Sequence, residues 1–145
     1  MEPIVNIYIM TNCKGIKTSI GHAVTVLEFV TASGQKATKL MHHERGASTD
    51  NAMVLYELEQ ALLMLNKACH VTIYTDNTYV SGHIATGHLQ SWKDNGWCNA
   101  RGVEIANKRT WQNIYFLMQV HSIRVSDEKE YEYRSMMSEE LEKYV

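Results

Sequence analysis

The sequence predicts an α/β chain: a five-stranded mixed sheet, its first three strands antiparallel, with helices on both faces. Three observations lead there. Three runs rich in β-formers come first, joined by short polar turns. After Thr49 the apolar period changes from that of a strand to that of a helix. From Val71 onward, strand-like and helical stretches alternate, which argues for α-β units added to the opening meander.

The elements follow in order. Val5-Asn6-Ile7-Tyr8-Ile9 alternates and predicts the first strand. The polar run from Thr11 to Gly15 breaks it. Residues 20–30, with Val24, Val26, Phe29 and Val30, predict a second strand closed by the turn Ala32-Ser33-Gly34-Gln35. Residues 36–43 predict a shorter third. Met53, Leu55, Leu58, Ala61, Leu62 and Leu65 recur at helical spacing, and Ser48, Thr49 or Asp50 can cap that helix. Val71-Thr72-Ile73-Tyr74 suits a buried strand. Asp76-Asn77 follows, then a short helix over 78–84. Gly82, Gly87 and Gly96 break up the middle. Residues 108–118 predict a helix with Trp111, Ile114, Tyr115 and Met118 on one face, 122–125 a last strand, and 131–144 a closing helix. The expected order is β-β-β-α-β-α-α-β-α.

Composition sets the class. The chain has 145 residues, 45% apolar and 21% charged, the profile of one globular domain spanning 1–145. One proline, Pro3, and no short period exclude collagen-like and low-complexity classes. No apolar run is long enough to span a bilayer, so no membrane association is expected, and the start lacks the basic region of a signal peptide. Cys13, Cys69 and Cys98 are widely spaced and form no C-x-x-C pair, which fits a reducing cytoplasm better than a disulfide framework. Net charge is -2. From Asp127 to Lys143, seven acids face Lys129, Arg134 and Lys143, so this stretch carries -4 and reads as a solvated acidic helix. Bases and aromatics interleave in one place: Lys93, Arg101, Lys108 and Arg109 among Trp92, Trp97 and Trp111. By composition alone that is an ordinary mixed surface over core tryptophans.

Several blocks together resemble type 1 ribonuclease H over nearly the whole chain. They are Val5-Asn6-Ile7-Tyr8 running to Cys13, Ser48-Thr49-Asp50-Asn51-Ala52-Met53-Val54-Leu55, and residues 61–80 with Thr75-Asp76-Asn77-Thr78-Tyr79-Val80. Trp92-Lys93-Asp94-Asn95-Gly96-Trp97 and Asn107-Lys108-Arg109-Thr110-Trp111 complete the set. The resemblance implies cleavage of the RNA strand of an RNA–DNA hybrid. Two divalent metals about 4 Å apart are held by four carboxylates from different elements, and Mg²⁺ demands such oxygen ligands.

Carried over residue by residue, the family's acidic positions fall on Met10, Val54, Asp76 and Met136. Asp76 alone is a carboxylate. The glycine loop with its histidine, which the family has before the last helix, is replaced by residues 126–131 without His or Gly. The expectation is therefore a collapsed, apolar former active site and a catalytically degenerate domain that still binds nucleic acid. No cofactor is then expected. Asp76 also has a plainer reading, as a cap for the helix after it.

Two alternatives stay open. One is an active ribonuclease H with rearranged ligands, using Mg²⁺ or Mn²⁺, for which Asp76, Asp50 and Glu57 are the candidate metal ligands and Glu132 a further acid near Met136. The other is a structural or dimerisation module with a protein partner or a second copy. The resemblance places Thr49 and Asn107 in a phosphate pocket for the DNA strand and Asn51 on the hybrid's minor groove. It matches Trp97, Lys93, Arg101, Lys108 and Arg109 to a substrate-handling protrusion.

Overall fold

The alternating runs pair as strands in a computed structural model that describes residues 2–13, 20–46 and 48–144. Of the predicted break at 11–15, Lys14 and Gly15 lie outside the described residues. β1 (Ile4–Thr11), β2 (Gly21–Val30) and β3 (Lys36–Arg45) form an antiparallel meander. β4 (His70–Thr75) joins β1 in parallel and β5 (Ser122–Ser126) joins β4 in parallel. The sheet order is β3-β2-β1-β4-β5, the five-stranded mixed sheet that the pattern predicts. β1 sits at its centre, with Ile7 paired to Leu27 on one side and to Ile73 on the other.

A strand turns successive side chains to opposite faces, so β1 feeds two cores. Val5, Ile7 and Ile9 face α1 (Asp50–Leu63) and α4 (Lys108–Met118), where Leu55, Leu58, Trp111 and Ile114 are fully buried. Each such aliphatic side chain contributes about 1.5–3 kcal/mol. Tyr8 faces the other way, onto Val24, Val26 and the buried Met137 and Leu141 of α5 (Arg134–Glu142). Helices thus cover both faces. Gly21 opens β2 where a Cβ would collide with the Cys13 thiol, so only glycine lets the two segments close up.

Two expectations shift. Between α2 (Thr78–Ala85) and α4 the chain forms another helix, α3 (His88–Asp94), which the glycines had hidden. Gly87 adopts φ 74° at its start and Gly96 φ 67° just beyond its end, so they bracket a helix instead of abolishing it. The closing helix begins at Arg134, not at Tyr131, because Tyr131 is packed against Tyr8 and Tyr74. Among the described residues no helix is long and apolar enough to cross a membrane.

Candidate functional site

β1 and β4 are parallel neighbours, with Ile9 opposite Thr75, so their carboxyl ends open at the same edge of the sheet. Crevices at that edge are the usual ligand sites of α/β sheets. Here the N-terminus of α1 packs beside them and closes a cavity of about 210 Å³. Thr11, Asp50, Thr75, Asp76 and Asn77 belong to its polar lining, and Met10 and Val54 to its apolar lining.

The polar side chains form a network. Thr49 caps α1 by accepting the Ala52 N–H at 3.1 Å, which sets Asp50 in the first turn, where the helix dipole favours an anion. The Thr11 hydroxyl donates to one oxygen of Asp50. The Asn77 amide donates to its other oxygen at 2.6 Å and to Asn51 Oδ1 at 2.8 Å. Asn77 Oδ1 accepts the Val80 N–H at 2.8 Å and so caps α2. Asp76 is therefore not the cap; its neighbour takes that role and the Asp76 carboxylate is left for other partners.

Those partners are cations from the far end of the chain. Arg134 donates to both oxygens of Asp76, at 3.4 and 3.1 Å, and Lys129 Nζ lies 3.4 Å from one of them. Burial pushes the Asp76 pKa up, but the hydrogen bond and charge of Arg134, and then of Lys129, outweigh it and hold the carboxyl below its usual range. Asp76 is ionised at neutral pH and matched to two positive charges.

The other candidate residues separate. Met136 is exposed and does not line the cavity; its neighbour Met137 is the buried one. Met10, Val54 and Met136 do not meet in an apolar plug. The expected collapsed site is instead a cavity with two carboxylates, because the polar ends of α1 and α2 converge where the strands stop. Glu57 is no ligand candidate. It is fully buried, accepts from Thr25 Oγ1 at 2.8 Å and sits 2.6 Å from His43 Nδ1 in an ion-pair contact. Glu132 turns away to Lys36 at 3.4 Å.

Asn107 begins α4 at φ 60° with no capping bond from its side chain, so capping does not explain it. It lines a second cavity with Lys108 and Arg109; Thr49 does not line that cavity. Lys108 is also paired with Glu104 at 3.5 Å. Lys93 and Arg101 are both exposed. Trp97 holds φ 63°, unusual for a bulky side chain, and packs edge-on to Tyr115, so it is half structural.

Whether divalent metal fits depends on the donors. Among the described residues no group of three or more His, Cys, Asp or Glu side chains is placed to hold a metal ion. The four-carboxylate paired-metal set is therefore absent from them. Two carboxylates facing one cavity remain. Mg²⁺ is commonly held by one or two carboxylates and completes its shell with water and substrate phosphates. Asp50 and Asp76 supply that number, and an ion there would take the place of part of the donors they now accept from: Thr11 and Asn77 at Asp50, Arg134 and Lys129 at Asp76.

The sequence profile of the family described as RNase H matches residues 4–127. A Ribonuclease H of Bradyrhizobium diazoefficiens is 35% identical over 122 residues, 84% of this chain and 75% of that protein. A Ribonuclease H of Chlorobium chlorochromatii is 36% identical over 78 residues, 54% of this chain and 53% of that one. One of Rickettsia bellii is 37% identical over 76 residues, 52% and 48%. The match thus spans three quarters of the first relative and about half of the other two. Among solved structures, a type 1 RNase H with the type 2 active-site motif superposes with TM-score 0.76 at 20% identity, over 97% of this chain and 71% of that one. A foamy viral protease-reverse transcriptase in complex with RNA/DNA hybrid gives 0.72 at 15% identity, over 94% of this chain and 19% of that one. These two show the fold alone. The expectation of a catalytically degenerate domain is overturned: a relative at 35% identity over most of the chain is named Ribonuclease H, and the matching edge of this sheet is an acidic cavity.

Proposed function

The chain belongs to the RNase H family, and from that premise we propose that it hydrolyses the RNA strand of RNA–DNA hybrids through Asp50 and Asp76. The observation that carries this is the convergence of the two carboxylates on one cavity at the carboxyl ends of β1 and β4. A foamy viral neighbour of the same fold is held in complex with RNA/DNA hybrid, which supports a hybrid as the ligand.

The roles divide by chemistry. Asp50 and Asp76 are the residues that would hold a divalent ion. Bound there, the ion supplies charge at the phosphate and a more acidic water. Thr11 and Asn77 keep Asp50 oriented by hydrogen bonds from neutral donors, which leave its charge intact. Asn107, with Lys108 and Arg109 beside it, offers an amide and two positive charges to a backbone phosphate. Asn51 is held by Asn77 at the cavity rim and is the candidate groove contact. Lys93, Arg101 and the partly packed Trp97 extend the basic face along the bound duplex.

The test is a denaturing gel of labelled RNA–DNA hybrid with purified protein, in Mg²⁺ and in Mn²⁺. Wild type is expected to cut the RNA strand. Asp76→Asn and Asp50→Asn, purified identically, are expected to lose at least about a hundredfold in rate, the scale of removing metal-linked charge stabilisation. Equal cutting by all three, or none by wild type, overturns the assignment.

A further inference from the structure

The acidic run after β5 contains two bases, and both are aimed at one point. Between Asp127 and Arg134 stand Asp127, Glu128, Glu130 and Glu132 against Lys129 and Arg134. Lys129 and Arg134 are the two that reach Asp76. Lys129 Nζ also donates to the Thr75 carbonyl at 3.4 Å, so it is held at the strand end from two sides.

Arg134 is placed against local preference. It is the first residue of α5, where the helix dipole disfavours a cation, and Tyr133 before it supplies no side-chain cap. The first turn holds no acid to compensate. A rule broken locally without local gain marks a functional position. The guanidinium is braced by the Tyr131 ring, 5.8 Å from its centroid, and meets Asp76 in a two-pronged contact. It has five N–H donors in all, more than Asp76 uses.

The cations also stand at a junction. Asp76 lines the cavity of the carboxylates. Lys129 lines an adjoining groove of about 420 Å³ on the β5 side, with Thr78, Ser81, Arg124 and the acid Asp127. Thr75 lines both, so a phosphodiester running from one into the other passes Asp76, with Arg134 on its carboxylate, and Lys129.

We propose that Arg134 and Lys129 bind the scissile phosphate of the hybrid beside Asp76, supplying from side chains part of the positive charge that a fuller carboxylate set would recruit as metal. This rests on the ribonuclease reading above. Hydrolysis joins the water oxygen to phosphorus and breaks the bond from phosphorus to a ribose oxygen. The attacking water gives up a proton and the leaving oxygen takes one up. Throughout, Arg134 and Lys129 stay protonated and donate to the non-bridging oxygens, where negative charge accumulates. Asp76 holds the guanidinium in place until the phosphate arrives. That exposed pair is weak enough to be shared with a second anion.

The experiment measures hybrid binding in EDTA across a salt series, and cleavage in Mg²⁺, for wild type, Arg134→Ala, Arg134→Lys and Lys129→Ala. Each alanine variant is expected to lower the slope of log K against log salt by about one, the loss of one phosphate contact. Arg134→Ala is expected to lower kcat by roughly tenfold, as a solvent-accessible charge donor should. Arg134→Lys is expected to restore the salt slope while leaving part of the rate deficit, because an ammonium lacks the planar fork. Lys67→Ala, at the opposite end of the sheet, is the control and is expected to match wild type. If wild type binds and cuts while both alanine variants keep its slope and rate, this proposal alone is overturned. If wild type neither binds nor cuts, the ribonuclease reading falls and this one with it.

Discussion

Asp50 and Glu57 lie on the same helix, two turns apart, and the chain uses them in opposite ways. Glu57 points into the protein. It is fully buried between Thr25 of β2 and His43 of β3, and its partners leave nothing for a ligand. Asp50 stands at the open end of the sheet, where Thr11 and Asn77 orient it inside a cavity. Asp76, across that cavity, is half-exposed and matched by two side-chain cations. A carboxylate's role follows from its partners: fixed and internal for structure, neutral donors or exchangeable cations for function.

The contrast breaks most sharply at Glu57. Glu57→Ala should cost about 3 kcal/mol in urea unfolding, because Thr25 and His43 lose a buried acceptor. Below its melting temperature the same variant should still cut hybrid. Asp50→Asn should behave inversely: cleavage falls at least about a hundredfold, or about 2.7 kcal/mol, while the melting temperature barely moves. A loss of stability in the second variant to match the first would erase the distinction.

A pH series sharpens it. Burial raises the Glu57 pKa, and the Thr25 hydrogen bond and His43 charge only partly oppose this. The folded protein then holds that proton more tightly than the unfolded chain does. Stability from this group is present at acid pH and declines as pH climbs from the ordinary glutamate value through the raised one. Asp76 has the opposite sign: its pKa is lowered, so its contribution is present at neutral pH and is lost as pH falls below the ordinary aspartate range. Unfolding midpoints of Glu57→Gln should lack the first decline and keep the second.

The smallest expected effects separate Thr49 from Asn107, two residues that the family resemblance treats alike. Thr49 caps α1, so Thr49→Ala should cost about 1 kcal/mol of stability. Asn107 caps nothing with its side chain. Asn107→Gly, which keeps the left-handed backbone at φ 60°, should leave the melting temperature near wild type and weaken hybrid binding by about 1 kcal/mol, read by fluorescence anisotropy at fixed salt.

Much of this was legible in the residues. The β-rich runs, the change of period after Thr49 and the Val71–Tyr74 segment predict every strand and the opening antiparallel meander, while the order β3-β2-β1-β4-β5 comes from the structure. Asp76 stands out through its block, and Thr49 through its place before the helix. Other features were not legible. α3 is short and bracketed by glycines, so local pattern read it as loop. Lys129 and Arg134 looked like sparse bases in an acidic tail, because the partner of Arg134 is 58 residues away in sequence. The loss of carboxylates at Met10, Val54 and Met136 suggested an apolar plug. Three substitutions along the chain carry no information about which of them face one cavity, and Met136 does not.

By itself, the sequence determined the strands, the mixed sheet and its helix-covered faces, because periodicity and β-branched composition act over a few residues at a time; the family came from the resemblance of its motif blocks. Only the tertiary structure decided the site. It set Asp50 and Asp76 on one cavity, sent Glu57 into the core, and folded Lys129 and Arg134 back onto Asp76. The physical reason is range: hydrogen bonds and ion pairs depend on ångströms between atoms, and chain order constrains those distances only once the sheet has closed.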